Sequence, residues 1–254
     1  MFEETPGDPK IHRLRIIALL ESDFNQANRL LIARPLTWLP EDNGMISDMQ
    51  HGSRSGKLCQ SAVLNKQLVF DIMKYTKETT AFRENAAVGC FDRIANPLVL
   101  LILRSLGLPE SIANSLAQTW EKTTHLIRTK YGISEEGYTN DVLNLLFGPG
   151  QGATLGPFLW LLCFIVIATN INPSTPRMLH TSADKSITIA HLGESFIDDT
   201  SLGCSNQSSS NNDNLNSSIR LQFQSTLTVL TKLAQEWERL LYSTGGAFRT
   251  NNNI

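Results

Sequence analysis

At 254 residues the chain is long enough for one large domain or two small ones with a real core. Its 41% hydrophobic and 18% charged residues are those of a soluble globular protein, and a formal net charge of −2 leaves no global basic field of the kind that announces nucleic acid. The four cysteines, Cys59, Cys90, Cys163 and Cys204, are scattered without paired spacing. That pattern argues for reduced thiols in an intracellular protein and against a zinc site or a disulfide framework.

Residues 1–10, with Pro6, Gly7 and Pro9, are expected to be disordered, and their acidic start shows no signal peptide. Residues 11–20 begin as a strand with basic residues at alternate positions. Side chains at i and i+2 share a strand face, so Arg13 and Arg15 point one way, as a solvated face or as a fit for a phosphate chain. A helix is predicted from Ser22 or Asp23 to Ala33, with Pro35 stopping it. Residues 40–57 read as loop. Within them Gln50-His51-Gly52-Ser53-Arg54-Ser55-Gly56-Lys57 is glycine-spaced and basic. Glycines let a backbone approach a nucleic-acid strand, and Arg54 and Lys57 are candidate phosphate contacts. The spacing is not that of a P-loop. A helix follows over 62–77, with lysines outside its apolar period.

Residues 82–93 read as a short buried strand turning into a helix, with Pro97 in the first turn of a helix that continues to Leu106. Ser111 is expected to cap a further helix to about Thr124, and 125–138 suggests a hairpin whose His125 is structural. A glycine-rich loop, Gly148-Pro149-Gly150-Gln151-Gly152-Ala153-Thr154-Leu155-Gly156-Pro157, leads into an apolar helix over 158–168. The apolar run 158–171 is too short to span a bilayer, which needs ~20 residues, so no membrane segment is expected. Gly148-x-Gly150-x-x-Ala153, with 143–147 as a preceding strand, also fits a dinucleotide fingerprint. That fingerprint wants an acidic residue about 20 positions on, and 160–183 contain none.

Residues 186–191 alternate as a strand, and Phe196-Ile197-Asp198-Asp199 follows between apolar flanks. This reads as a β-hairpin with two adjacent carboxylates at its tip. An Asp-rich turn explains it by turn chemistry alone; a divalent cation with oxygen ligands explains it by relieving the carboxylates' repulsion. A Ser/Asn tract over 204–218 is a flexible loop by composition. An amphipathic helix over 219–242 ends at Gly245-Gly246, and the Asn-rich tail is expected to fray.

Taken in order, these motifs resemble the palm and fingers motifs of reverse transcriptases, especially those of non-LTR retrotransposons. Phe196-Ile197-Asp198-Asp199 resembles the aromatic-x-Asp-Asp box, and the 148–157 loop the Gly-x-x-Gln-Gly motif. Cys90-Phe91-Asp92 resembles the end of Asp-x-x-x-Ala-Phe-Asp. Leu14-Arg15-Ile16-Ile17 and the 50–57 loop are similar to the fingers strand and fingers loop, and 237–247 to the helix and turn after the catalytic hairpin. The resemblance spans about residues 11–250. It implies an α/β (α+β) fold, a polymerase right-hand palm with partial fingers and an antiparallel palm sheet with packed helices. In that scheme 11–80 are partial fingers, 81–203 the palm with the three motifs, 204–218 a flexible loop, 219–246 the palm helix and turn, and 247–254 a frayed end with the thumb absent.

The family resemblance also implies roles. Asp198 and Asp199 would be catalytic carboxylates holding Mg²⁺ (or Mn²⁺). Arg15 would contact the incoming triphosphate, Phe91 would sit under its sugar, and Gln151 and Gly152 would position template and nucleotide. The implied partners are an RNA template, a DNA primer and deoxynucleoside triphosphates, and the implied location is nuclear or cytoplasmic. The departure from the family is Ala86, which falls where the third metal carboxylate belongs. Glu84 lies two residues away, ~6.6 Å along a strand. That is too far for a side chain to recover while holding a metal at ~2.1 Å. The expectation is a truncated and degenerate polymerase domain, the alternatives being a non-catalytic nucleic-acid-binding relic of a retroelement and a dinucleotide-binding enzyme.

Overall fold

Two short N-terminal strands, β1 (Phe2–Glu3) and β2 (Leu14–Arg15), pair antiparallel with Phe2 opposite Arg15. Helix α1 (Ser22–Asn28) passes through a π-helical stretch, Arg29–Ala33, into α2 (Arg34–Asp42). The predicted stop at Pro35 is therefore corrected. Pro35 directly follows the π-helical stretch, whose wider turn gives its ring room and lets the chain stay helical. Helix α3 (Cys59–Thr76) ends on Lys77 in the left-handed region, φ 56°. Strand β3 (Thr80–Ala86) leads through a turn over 88–92, not a helix, to α4 (Asn96–Ser105), which carries Pro97 in its first turn. Helix α5 (Glu110–Lys122) starts one residue before the predicted Ser111 cap and has Pro109 at its N-cap. The expected hairpin is a nested pair of ladders: β4 (Thr124–His125) with β7 (Tyr138–Thr139), and β5 (Arg128–Thr129) with β6 (Gly132–Ile133).

Beyond these come α6 (Gly156–Asn170), the hairpin of β8 (Met178–Thr181) and β9 (Thr188–His191), strands β10 (Gly193–Phe196) and β11 (Asp199–Ser205), and the long α7 (Leu215–Ser243). The expected flexible loop over 204–218 differs at both ends: Cys204 and Ser205 belong to β11, and 215–218 are helical. This computed structural model describes residues 2–3, 14–15, 17–139, 148–171, 177–181, 184, 186–205 and 215–246; side chains at 2, 3, 14, 15, 138 and 215–219 are outside that description. The expectations for 4–13, 16, 143–147, 206–214 and the 247–254 tail fall outside the described residues. Among the described residues no helix is long and apolar enough to cross a membrane.

The chain divides into two units, Met1–Met45 with Phe91–Cys163 and Ile46–Cys90 with Phe164–Ile254. In the first, α4 and α5 pack as a helical hairpin, burying Val99 and Leu103 of one and Ala113 and Leu116 of the other. In the second, an antiparallel sheet runs β10-β11-β3, with β11 central. Every strand-to-strand ladder among the described residues is antiparallel, so these residues show no parallel βαβ frame of the kind the dinucleotide reading needs.

Helix α7 packs on β3 and β11, burying Leu230, Leu233, Ala234, Trp237 and Leu241. Trp237 meets Phe164 of α6 edge to face, with ring centroids 5.7 Å apart. On α3, Val69 and Met73 join Met178 of β8, with Phe70 and Phe82 at the margin in an edge contact of 4.8 Å. None of the four cysteines is in a disulfide. Burial pushes the Cys163 thiol up to about 12 and the Cys204 thiol up to about 11, which makes both inert.

Phe164 is fully buried, and its ring fills space opposite Trp237. Phe164→Ala is expected to cost about 3–5 kcal/mol, read as a lowered denaturant midpoint at unchanged slope.

Candidate functional site

Strand pairing brings the sequence-predicted metal residues together. Phe196 pairs with Asp199, so the two residues joining β10 to β11 are Ile197 and Asp198. The acidic pair therefore does not form the tip by itself. Asp198 occupies the turn and Asp199 is the first residue of β11. Across the next ladder Asp199 lies opposite Ala86, Thr200 opposite Asn85 and Ser201 opposite Glu84. The Ala87 N–H donates to the Asp198 carbonyl at 3.3 Å. The end of β3 thus lies beside the backbone of both aspartates, and the residue opposite Asp199 carries a methyl group.

Glu84 is committed elsewhere. Its Oε1 is held by the Lys66 ammonium and accepts from Ser201 Oγ at 2.9 Å. Among the described residues no three His, Cys, Asp or Glu side chains converge to hold a metal ion. The donor set at the turn is two carboxylates, which fits a Mg²⁺ that completes its shell with water and phosphate oxygens.

The turn has unusual backbone geometry. Ile197 has φ 58°, and Asp198 is not in the left-handed region. Left-handed backbone at only the first central residue is the pattern of a type II′ hairpin turn, where glycine is favoured. A β-branched residue there is strained. The 50–57 loop holds that strain. Gln50 Oε1 accepts from the Ile197 N–H at 3.0 Å, and Gln50 Nε2 donates to the Ile197 carbonyl at 3.1 Å. Gln50 is fully buried. Its backbone bridges to Ser195, the His51 N–H donates to the Ser195 carbonyl at 2.8 Å, and the Ser195 N–H donates to the Met49 carbonyl at 2.6 Å. Gly52 is required by close approach, since a Cβ there would sit 2.4 Å from the Ile197 nitrogen. Ser195 Oγ completes the wiring at 3.1 Å from the Asp199 carbonyl and 3.0 Å from Thr200 Oγ1.

Beneath the hairpin lies a buried ionisable cluster that sequence reasoning passed over. His51 Nε2 is 2.6 Å from Glu194 Oε2, and His191 Nε2 is 3.4 Å from Glu194 Oε1. Burial pushes Glu194 up to about 7, against the opposing pull of an Asn65 hydrogen bond and the Lys57 charge. Burial also lowers His51 and His191, helped in His51 by the nearby Lys57 and Arg54 charges. Arg54, expected at a phosphate, donates Nη1 to the Ser47 and Gln50 carbonyls at 3.2 and 3.1 Å and so braces its own loop. Lys57 is half-buried.

The remaining sequence-predicted residues belong to the first unit. The glycine-rich loop packs on the turn that carries Phe91. A Cβ at Gly148 would lie 1.9 Å from the Phe91 carbonyl oxygen, and one at Gly156 would lie 3.3 Å from the Phe91 ring. The Gln151 N–H donates to Asp92 Oδ1 at 3.0 Å, while its carbonyl accepts from the Ala18 N–H at 2.6 Å. Gly152 lies against the Ala18 carbonyl, and Asn96 Oδ1 accepts the Gly148 N–H at 3.2 Å. Burial raises Asp92, and its Gln151 hydrogen bond acts the other way. Phe91, Gln151 and Gly152 are therefore one local constellation. The backbone of Arg15 is in β2, and its side chain lies outside the described residues.

No family model matches the sequence, and no curated protein matches it. Solved structures do. The chain is similar to telomerase from Candida tropicalis in complex with the TWJ fragment of telomeric RNA, at TM-score 0.50 and 12% identity over 91% of this chain. The match covers 34% of the telomerase chain, so this chain spans about a third of that length. Apo telomerase from the same organism, truncated from the C-terminal domain, matches at TM-score 0.46 and 11% identity over 90% of this chain and 41% of that one. Telomerase from Candida albicans with the TWJ fragment matches at 0.42 and 10% over 91% and 35%. The fold is distantly reverse-transcriptase-like, an α/β palm-and-fingers polymerase fold with antiparallel sheets and packed helices.

Two outcomes follow from this geometry. Gly148→Ala is expected to cost about 2–4 kcal/mol, because it combines a left-handed backbone, φ 70°, with a collision against the Phe91 carbonyl. Gly44→Ala, at φ 61° with nothing within 4 Å of its Cβ, is expected to cost only about 1–2 kcal/mol. Chemical denaturation of the two variants checks the difference. Glu194 holds its proton more tightly folded than unfolded, so its contribution to stability is full below about pH 4.5 and is lost as pH rises to about 7. His51 and His191, lowered from 6.5, act in the opposite sense and lose stability as pH falls through that value. Glu194→Gln removes only the carboxylate's part. Its melting temperature, relative to the parent, is expected to rise between pH 4.5 and 7 and level off above; a pH-independent difference would refute the assignment.

Proposed function

We propose that this chain is a reverse-transcriptase domain from a retroelement, a template-directed nucleotidyl transferase whose chemistry is impaired at Ala86. The observation that carries the reading is the register of β3 against β11, which sets Ala86 opposite Asp199 and beside the Asp198 turn. In a palm, a carboxylate at the end of that strand would complete the pair. Here Asp198 and Asp199 would hold one Mg²⁺ (or Mn²⁺), which when bound supplies Lewis-acid polarisation of a phosphoryl oxygen. By the family resemblance Phe91 would sit under the sugar of a deoxynucleoside triphosphate, and Gln151 and Gly152 would position nucleotide and RNA template. Arg15 and Lys57 would meet phosphates, with a DNA primer supplying the 3′-hydroxyl. Arg54, whose Nη1 braces the loop, would be a further phosphate contact.

A second reading is a nucleic-acid-binding relic without catalysis. It is favoured by one observation, that the nearest alternative carboxylate, Glu84, is tied to Lys66 and Ser201. Both readings predict template–primer binding, and they part on chemistry.

Primer extension on an RNA template by the purified chain separates them. A lost metal carboxylate is worth about 4 kcal/mol in the transition state, or roughly a thousandfold in rate. The unmodified chain is expected to extend weakly or not at all, and Ala86→Asp to raise extension by about two to three orders of magnitude. Robust extension by the unmodified chain, abolished by Asp198→Asn, would overturn the impairment. Binding without extension by either version would favour the relic.

A further inference from the structure

The acidic turn is held in a conformation its own sequence disfavours, and a single side chain from a distant loop holds it. Ile197 takes the left-handed position of a type II′ turn, where a branched Cβ clashes with its own backbone. Left to itself, a Phe-Ile-Asp-Asp hairpin would relax, and Asp198 would swing with the peptide it shares with Ile197. The fully buried amide of Gln50 prevents this by pairing with both backbone groups of Ile197, the N–H at 3.0 Å and the carbonyl at 3.1 Å. Its Oε1 also accepts from the Gly52 N–H at 2.8 Å, and its Nε2 lies 3.3 Å from Ser195 Oγ. All of the amide's polar capacity is thus spent on the turn and on the loop that approaches it. A side chain placed this way copies the hydrogen bonds of an extra β-strand, capping one residue of a hairpin from 147 positions away.

We infer that Gln50 is a positioning residue for metal binding at the turn. It fixes the peptide between Ile197 and Asp198 so that the Asp198 and Asp199 carboxylates present their oxygens together. The inference rests on the reading of Asp198 and Asp199 as metal carboxylates, and it deepens that reading by naming what orients them. Partners of this kind, which touch no metal themselves but aim its ligands, typically alter affinity by about 10- to 100-fold when removed. Gly52 belongs to the same device by exclusion, because any side chain there would displace the Ile197 nitrogen.

The experiment uses the full chain, with Mn²⁺ as the probe in its paramagnetic resonance signal and amide hydrogen exchange at Ile197 and Asp198 as an independent readout. Gln50→Met keeps the volume and removes both hydrogen bonds. It is expected to speed exchange at Ile197 by at least about tenfold and to weaken Mn²⁺ about 10- to 100-fold. Adding Ile197→Asn, a residue that accepts left-handed backbone, is expected to recover most of the Mn²⁺ affinity. Should Gln50→Met fail to fold, Gln50→Asn retains an amide but withdraws it from Ile197 and is read the same way. Unchanged exchange at Ile197 overturns the inference. So does fast exchange with unchanged Mn²⁺ affinity in a protein whose Asp198→Asn variant binds Mn²⁺ more weakly. If Asp198→Asn leaves Mn²⁺ binding intact, the metal reading itself falls and carries the inference with it, and that control separates the two failures.

Discussion

The antiparallel register between Thr80–Ala86 and Asp199–Ser205 is the constraint on which the second unit depends. Side chains alternate along a strand, so sliding the pair by one residue would exchange its two faces and set a different residue across from Asp199. In the register found, Ser201 reaches Glu84, and buried Leu202 and Cys204 fall on the face that α7 covers. The Cys204 thiol even donates to the Thr226 carbonyl of α7, at 3.5 Å. The helix and the ladder therefore fix each other: a slip would move polar Ser201 and Gly203 under α7 and would lose its buried leucines their partners.

The turn at the end of that ladder shows a different balance. A left-handed β-branched residue costs on the order of 1–3 kcal/mol and persists only where its surroundings over-determine it. Here the surroundings are four hydrogen bonds of one buried glutamine amide, a glycine pressed against the turn, and Ser195 bonded to the strand beyond. The His51–Glu194–His191 cluster joins the 50–57 loop, β9 and β10, with His51 and Glu194 buried and His191 half-buried. Each member is kept by a partner, because an unpaired buried charge would cost far more than the pair returns.

In the first unit the organising contact is backbone against backbone. The 148–156 loop lies so close to the Phe91 carbonyl and the Ala18 carbonyl that only glycine fits at 148 and 152. Asp92 then takes the Gln151 N–H, and Asn25 takes Thr154 through its Oδ1 at 3.1 Å. A glycine-rich run read for ligand approach is thus equally a run read for chain approach, and both demands can be met by the same residues. Asp92, which the sequence placed near a helix start, turns out to anchor this loop instead.

Much was legible in the sequence because it is local. Hydrophobic period and chain punctuation located α3, α4, α5, α6 and α7 to within a few residues, and alternation located the acidic hairpin. The motif order identified Asp198, Asp199 and Ala86 as residues that should meet, and the ladder places them together. Where the sequence reading missed, a non-local partner had overruled a local signal. Pro35 should end a helix, but a π-helical turn spares its ring a clash. Two adjacent aspartates should share a tip, but pairing of Phe196 with Asp199 moves the tip one residue back. Nothing near residue 197 in the chain announces a left-handed isoleucine, and nothing near residue 50 announces the amide that holds it. Composition and period determine which segments become helices and strands, because those depend on neighbours in sequence. The orientation of the carboxylates, the protonation of Glu194 and the fate of Glu84 depend on neighbours in space, and tertiary packing alone decided them.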